Sequence, residues 1–69
     1  MILKLVHSTH IDAIGWEENI LRIKFTDGSI YDYEGVSKGT FARFLNTKSK
    51  GHFFRRYIKP KYKHKKHSK

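Results

Sequence analysis

Cysteine is absent from the 69-residue chain, so neither a disulfide nor a thiolate–metal framework stiffens it, and that usage fits a reducing compartment. Long apolar runs are also absent. The opening MILKLV is short and interrupted by Lys4, which argues against a signal-peptide core or a membrane span. The expectation is a soluble, cytoplasmic protein without integral membrane association. Glycine-rich nucleotide motifs are missing as well: SKGHFF lacks the GxxxxGK pattern, so no cofactor is expected. There is no internal repeat. With one domain's worth of residues the core is thin, and five Phe, four Tyr and Trp16 must supply most of it.

The scarcest feature is negative charge in the second half. Residues 1 to 34 hold three cations (Lys4, Arg22, Lys24) against six acids (Asp12, Glu17, Glu18, Asp27, Asp32, Glu34), whereas residues 35 to 69 hold twelve cations and no acid. An asymmetry of this kind points to a polyanionic partner: nucleic acid first, an acidic protein or an anionic membrane surface next. The plainer alternative is a solubilising tail, since six of those lysines lie in the last eleven residues.

Hydrophobic periodicity predicts three strands: about Ile11 to Trp16, the alternating ILRIKF (Ile20 to Phe25), and SIYDYE (Ser29 to Glu34). Gly15 inside the first suggests a bulge. Ser37 is a good N-cap for a helix from Lys38 to about Asn46, with Val36 placed to staple onto Phe41. Phe41, Ala42, Phe44 and Leu45 then share one side of it, with Arg43 and Asn46 opposite. A second amphipathic segment, HFFRRYIK, ends at Pro60. Beyond it KYKHKKHSK has too little apolar surface to bury and is expected to be disordered. The predicted architecture is α+β: a small three-stranded antiparallel meander covered by two short helices, with a basic disordered C-terminal tail. Residues 1–7 form an N-terminal extension or short edge strand, 8–60 the domain, and 61–69 the Lys/His-rich tail.

One set of spacings is shared with a known family. Ser8, Ile11, Ile14-Gly15-Trp16, Leu21-x-Ile23-x-Phe25-x-Asp27-Gly28, Tyr31-x-Tyr33-x-x-Val36 and Ser49-Lys50-Gly51-x-x-Phe54-x-x-x-Ile58-Lys59 together resemble the KTSC domain. That family is named for its occurrence at the C-terminus of some lysyl-tRNA synthetases and also occurs as short stand-alone proteins. The resemblance runs from about Ser8 to Tyr62, with Trp16 where the family often has Tyr. It implies no settled activity, only a suggested role in RNA binding.

Tyr31 and Tyr33 are either a base-stacking platform or core, and strand register decides between them. A two-residue Asp27-Gly28 loop would set Ile23 opposite Asp32 and bury carboxylates without partners. A three-residue Thr26-Asp27-Gly28 loop, with Gly28 left-handed, sets Ile23 opposite Tyr31, Leu21 opposite Tyr33 and Arg22 opposite Asp32. The second pairing joins apolar with aromatic and cation with anion, so it is favoured. Tyr31, Tyr33, Phe25 and Phe54 are accordingly assigned structural roles, although sheets that bind single-stranded RNA do present aromatics on an open face.

The candidate nucleic-acid-binding residues lie further on. On the second helix His52, Arg55, Arg56 and Lys59 oppose the apolar arc of Phe53, Phe54, Tyr57 and Ile58. Just upstream, Lys48-Ser49-Lys50-Gly51 sits where backbone N–H groups at a helix start are unpaired and can meet phosphate. Lys61, Tyr62 and Lys63 extend this surface into the tail, Tyr62 being able to stack on a base. The plainer alternative makes Ser49 a simple cap and the cations a solvated face. His7 with His10, and His64 with His67, are spaced three apart but lack further ligands, so no metal site is expected. Ser8, His10 and Asp12 do not make a triad by proximity in sequence, and no enzymatic activity is expected. The leading expectation is a nucleic-acid-binding domain, RNA favoured over DNA because of the resemblance; the alternative is an adaptor docking on an acidic protein.

Overall fold

The computed structural model describes residues 1–67. Five strands form one antiparallel sheet in chain order: β1 (Lys4–Leu5), β2 (Ile11–Glu17), β3 (Ile20–Phe25), β4 (Ile30–Glu34) and β5 (His64–His67). Between β4 and β5 the chain crosses one face of the sheet as α1 (Lys38–Asn46) and α2 (Lys50–Phe53), the latter continuing as a π-helical turn over Phe54–Ile58.

The expected three-stranded meander is therefore corrected to five strands, and the tail is not disordered through His67. β1 lies within residues 1–7, where a short edge strand is one of the two expectations, and neither addition is a strand that hydropathy alone can reveal. β1 is two residues long, too short for a period of two to register. β5 has the sequence HKKH and no apolar side chain. It is held instead by the open edge of β4, where His64, Lys65, Lys66 and His67 stand opposite Tyr33, Asp32, Tyr31 and Ile30. The His64 ring lies 5.6 Å from Tyr31 and 5.4 Å from Tyr33, and the Lys66 ammonium lies 5.9 Å over the Tyr31 ring. Edge pairing, cation–π attraction and charge pairing replace burial.

The central hairpin adopts the register that charge pairing favours: Leu21 opposite Tyr33, Arg22 opposite Asp32, Ile23 opposite Tyr31. Its turn carries Gly28 at φ 92°, and the Asp27 carboxylate accepts from the Ser29 N–H at 2.9 Å and hydroxyl at 2.6 Å. The β2–β3 turn has Glu18 and Asn19 at φ 50° and 65°, the left-handed pair that matches strand twist in a two-residue hairpin. The bulge lies between Ile11 and Ala13, not at Gly15. Gly15 is regular, and what it provides is room: a Cβ there would stand 2.7 Å from both the Ile2 carbonyl oxygen and Leu3 Cδ2.

Two backbone ties start α1. The Val36 N–H donates to the Asn19 carbonyl at 2.9 Å, and the Trp16 indole N–H donates to the Val36 carbonyl at 2.7 Å. Ser37 then caps the helix by accepting from the Thr40 N–H at 3.2 Å. Phe44 is fully buried, with Phe41 and Leu45 packed beside the core, whereas Ala42 is exposed and not part of the apolar face. In the second helical segment Lys59 N–H reaches the Phe54 carbonyl at 2.9 Å, the wide i→i+5 closure of a π turn. Phe53, Phe54 and Ile58 are buried at 6%, 9% and 0% exposure; Phe53 stacks on Phe44 of α1 with ring centres 5.4 Å apart, while Phe54 meets Phe25 and Tyr33 of the sheet. All three join Ile11, Ile14, Leu21, Ile23, Tyr33 and Val36 in one core. No helix among the described residues is long and apolar enough to cross a membrane.

Candidate nucleic-acid interface

The turn between α1 and α2 faces the loop that leads into β2. That loop is fixed to the sheet by the Thr26 N–H, which donates to the His10 carbonyl at 3.0 Å. Between them lies a groove of about 380 Å³, with His7, Ser8, Thr9 and His10 on one wall and Lys48, Ser49, Lys50, Gly51, His52 and Arg55 on the other. No carboxylate lines it. Six of the residues chosen from sequence are thus brought together, along with four that were not assigned to binding. In the sequence Ser8 stands out through the family pattern, His7 and His10 through their spacing of three, and Ser8 and His10 through their proximity to Asp12; what marks them for binding is their position before β2, which topology sets beside α2. Among the described residues no cluster of three His, Asp or Glu capable of holding a metal forms.

The local geometry revises how an anion would be held. α2 proper is four residues long, and the Ser49 side chain makes no capping hydrogen bond. One turn carries little of a helix dipole, so attraction rests on side-chain cations and hydroxyls. Lys50 is partly engaged already, its ammonium donating to the Thr47 carbonyl at 2.7 Å and closing the end of α1. Lys48, His52 and Arg55 are exposed.

Two further hollows continue the groove. The first, about 200 Å³, is bordered by His10, Gly51 and Arg55 again and by Ile11, Phe25, Phe54 and Lys59. The next, about 300 Å³, shares Phe25, Phe54 and Lys59 with it and adds Asp27, Ser29, Tyr31, Tyr33 and His64. Its aromatic floor is an edge-to-face set: Phe25 meets Tyr31 at 5.7 Å and Phe54 at 5.4 Å, and Phe54 meets Tyr33 at 5.6 Å between ring centres. Tyr33 is only 3% exposed, and burial, aided by neighbouring Tyr31, pushes its hydroxyl up to about 12. No hydrogen bond joins either tyrosine hydroxyl to another described residue. Phe25 and Tyr31 are half-buried.

The remaining sequence-assigned residues disperse. Arg56 lines none of these hollows; its guanidinium lies 5.8 Å over the Tyr57 ring, which Arg43 also approaches at 5.9 Å. Tyr62 is half-buried against the core, which leaves it little face for stacking on a base. Lys61 and Lys63 are exposed in the turn that precedes β5.

A single twisted sheet with helices on one face, bordered by an acid-poor groove, defines a small α+β domain with a basic rim. Residues 7–62 match the KTSC domain, and the chain belongs to that family. It is 35% identical over 60 residues to a protein of Tsukamurella paurometabola, a match covering 84% of this chain and 90% of that one. The crystal structure of a KTSC domain protein from Yersinia pestis is similar with a TM-score of 0.90 at 34% identity, covering 97% of each chain. That coverage carries the structural likeness beyond residues 7–62, into the terminal segments.

Proposed function

We propose that the protein is a non-catalytic, cytoplasmic nucleic-acid-binding domain, RNA favoured over DNA, that holds phosphates in the groove between His7–His10 and Lys48–Arg55. The observation that carries this reading is the convergence of two distant chain segments on a groove containing Lys48, Lys50 and Arg55, the hydroxyls of Ser8, Thr9 and Ser49, and no carboxylate. Lys59 extends the cationic edge, and Lys61, Lys63, Lys65 and Lys66 add a basic margin along β5 and the turn before it. Such contacts supply affinity and salt dependence with little sequence readout. The preference for RNA rests on the suggested role of the family, since charge alone does not distinguish the two.

A fluorescence-anisotropy salt titration against short RNA, single-stranded DNA and duplex DNA tests this reading. Binding that weakens steeply with salt is the expected result. Absence of binding to all three at low ionic strength would overturn it. A second reading, docking of an acidic protein, is favoured by the Arg43–Tyr57–Arg56 patch on another side of the helix, because Tyr and Arg are enriched at protein interfaces. Replacing Arg43 and Arg56 by Ala separates the two, abolishing protein docking while sparing the groove.

A further inference from the structure

We infer that the groove takes a single strand, with phosphates at its hydroxyl-lined end and a nucleobase against Phe25 and Tyr31 at the other; this rests on the nucleic-acid reading above. The three hollows are one track, because each shares its border residues with the next: His10, Gly51 and Arg55, then Phe25, Phe54 and Lys59. Chemistry changes along it. The first part offers cations and hydroxyls, which suit phosphate oxygens; the last offers ring faces, which suit a base.

Cations follow the whole length of one edge. Lys48 and Arg55 border the first hollow and Lys59 the last two, so a phosphate chain laid along this edge meets positive charge throughout. Gly51, which borders the first two hollows, has open space around the position of a Cβ, so a ligand backbone can pass close to the protein there. Asp27 is the one carboxylate on the track, at its far end, and its Oδ1 accepts from both the Ser29 N–H and hydroxyl.

The aromatic end is a ring surface held in place rather than a loose side chain. Tyr33 and Phe54 are sunk in the core, and they brace Phe25 and Tyr31, which keep exposed area. Tyr31 thus both packs and faces ligand. Lys66 over its ring marks it as a surface that attracts an exposed group; a base displaces that ammonium and leaves it free to pair with phosphate. A duplex cannot use this end, because its base faces are stacked inside and it offers the protein only base edges, sugars and phosphates.

The test uses the full chain and three labelled probes: a ten-nucleotide oligouridylate, an RNA duplex of ten base pairs, and a ten-unit abasic sugar–phosphate chain. The oligouridylate is expected to bind at least tenfold more tightly than the other two. Tyr31→Ala is expected to weaken oligouridylate binding about fivefold to a hundredfold, leaving the abasic chain unaffected, whereas Arg55→Ala weakens all three. Because Tyr31→Ala can also disturb packing, Tyr31→Leu is measured beside it, and in the unaltered chain the ring resonances of Tyr31 and Phe25 are followed during titration. Equal affinity for oligouridylate and abasic chain, with unmoved ring resonances, overturns the base seat and leaves phosphate binding standing. Failure of all three probes to bind overturns both.

Discussion

Arg22 grips Asp32 across β3 and β4 with both ends of its guanidinium: Nε donates to Oδ1 at 2.7 Å and Nη2 to Oδ2 at 3.0 Å. The Asp32 side chain is 17% exposed, and His67 Nε2 lies 2.8 Å from the same Oδ2. The hydrogen bond from Arg22, seconded by His67, holds the Asp32 carboxyl below the usual carboxylate range despite its burial. A group depressed in the folded state contributes stability that is complete above its unfolded pKa, about 4, and is lost as pH falls through the lower folded value. Asp32→Asn should therefore lower stability at pH 7 and flatten the acid limb of a urea-unfolding series between about pH 2 and 6. Arg22→Met, which strands the carboxylate, should cost about 1–3 kcal/mol. Superimposable acid limbs for the unaltered chain and Asp32→Asn would count against this account.

Deleting residues 64–69 gives a second test. A disordered tail could be removed without consequence, but β5 contributes four cross-strand pairs, each worth a few tenths to about 1 kcal/mol. The truncated chain should lose about 1–3 kcal/mol in chemical denaturation, and the Ile30 and Asp32 amides, which the register turns toward β5, should exchange faster with solvent. Unchanged stability would mean that the strand adds nothing to the fold.

These two cases show which parts of the fold the sequence could reveal. β2, β3, β4 and α1 were legible because apolar periodicity, a strong N-cap and the charge-compatible pairing of Arg22 with Asp32 all agree. β5 was not, because the partners that hold HKKH are an aromatic pair and a carboxylate some thirty residues upstream. Half of the groove was legible for a related reason: cations on HFFRR are visible as a polar arc, whereas His7 to His10 acquire meaning only once β2 is laid beside α2. The π turn was hidden because its i→i+5 closure serves packing in two directions, Phe53 on Phe44 of α1 and Phe54 on Phe25 and Tyr33 of the sheet, which periodicity reads as an ordinary helix.

Tyr33→Phe isolates the effect of a hydroxyl at the floor of the aromatic hollow. The folded-state value is raised to about 12, from about 10 in an unfolded chain. The unfolded state therefore loses its proton first, and the stability tied to the neutral hydroxyl is intact below pH 10 and lost as pH rises toward 12. Relative to Tyr33→Phe, the unaltered chain should fall by on the order of 2 kcal/mol across that window, with the lysine titrations common to both. Parallel curves from pH 8 to 12 would contradict it.

Gly15→Ala should displace the N-terminal segment. Its new Cβ would meet the Ile2 carbonyl oxygen, a backbone atom, and Leu3 Cδ2 at 2.7 Å, so the segment must move. Overpacking of this kind costs about 1–3 kcal/mol. The same substitution in a chain lacking residues 1–3 should cost much less, and that difference in urea midpoint distinguishes a clash with the segment from an effect on β2 itself.

Arg55 and Arg56 are adjacent in sequence and, by helical arc alone, equivalent. The structure separates them: Arg55 borders two parts of the groove, while Arg56 lies over Tyr57 beside Arg43. Arg55→Ala should weaken binding of a short RNA and reduce the slope of log affinity against log salt by about 1, the signature of one lost phosphate contact. Arg56→Ala should leave both the affinity and the slope unchanged, since its charge lies outside the track and partly screened by solvent. Both side chains are exposed, so neither change should disturb folding, and thermal melts of the two variants serve as the control. Equal losses from the two substitutions would show that binding follows net charge over the whole helix and not the groove.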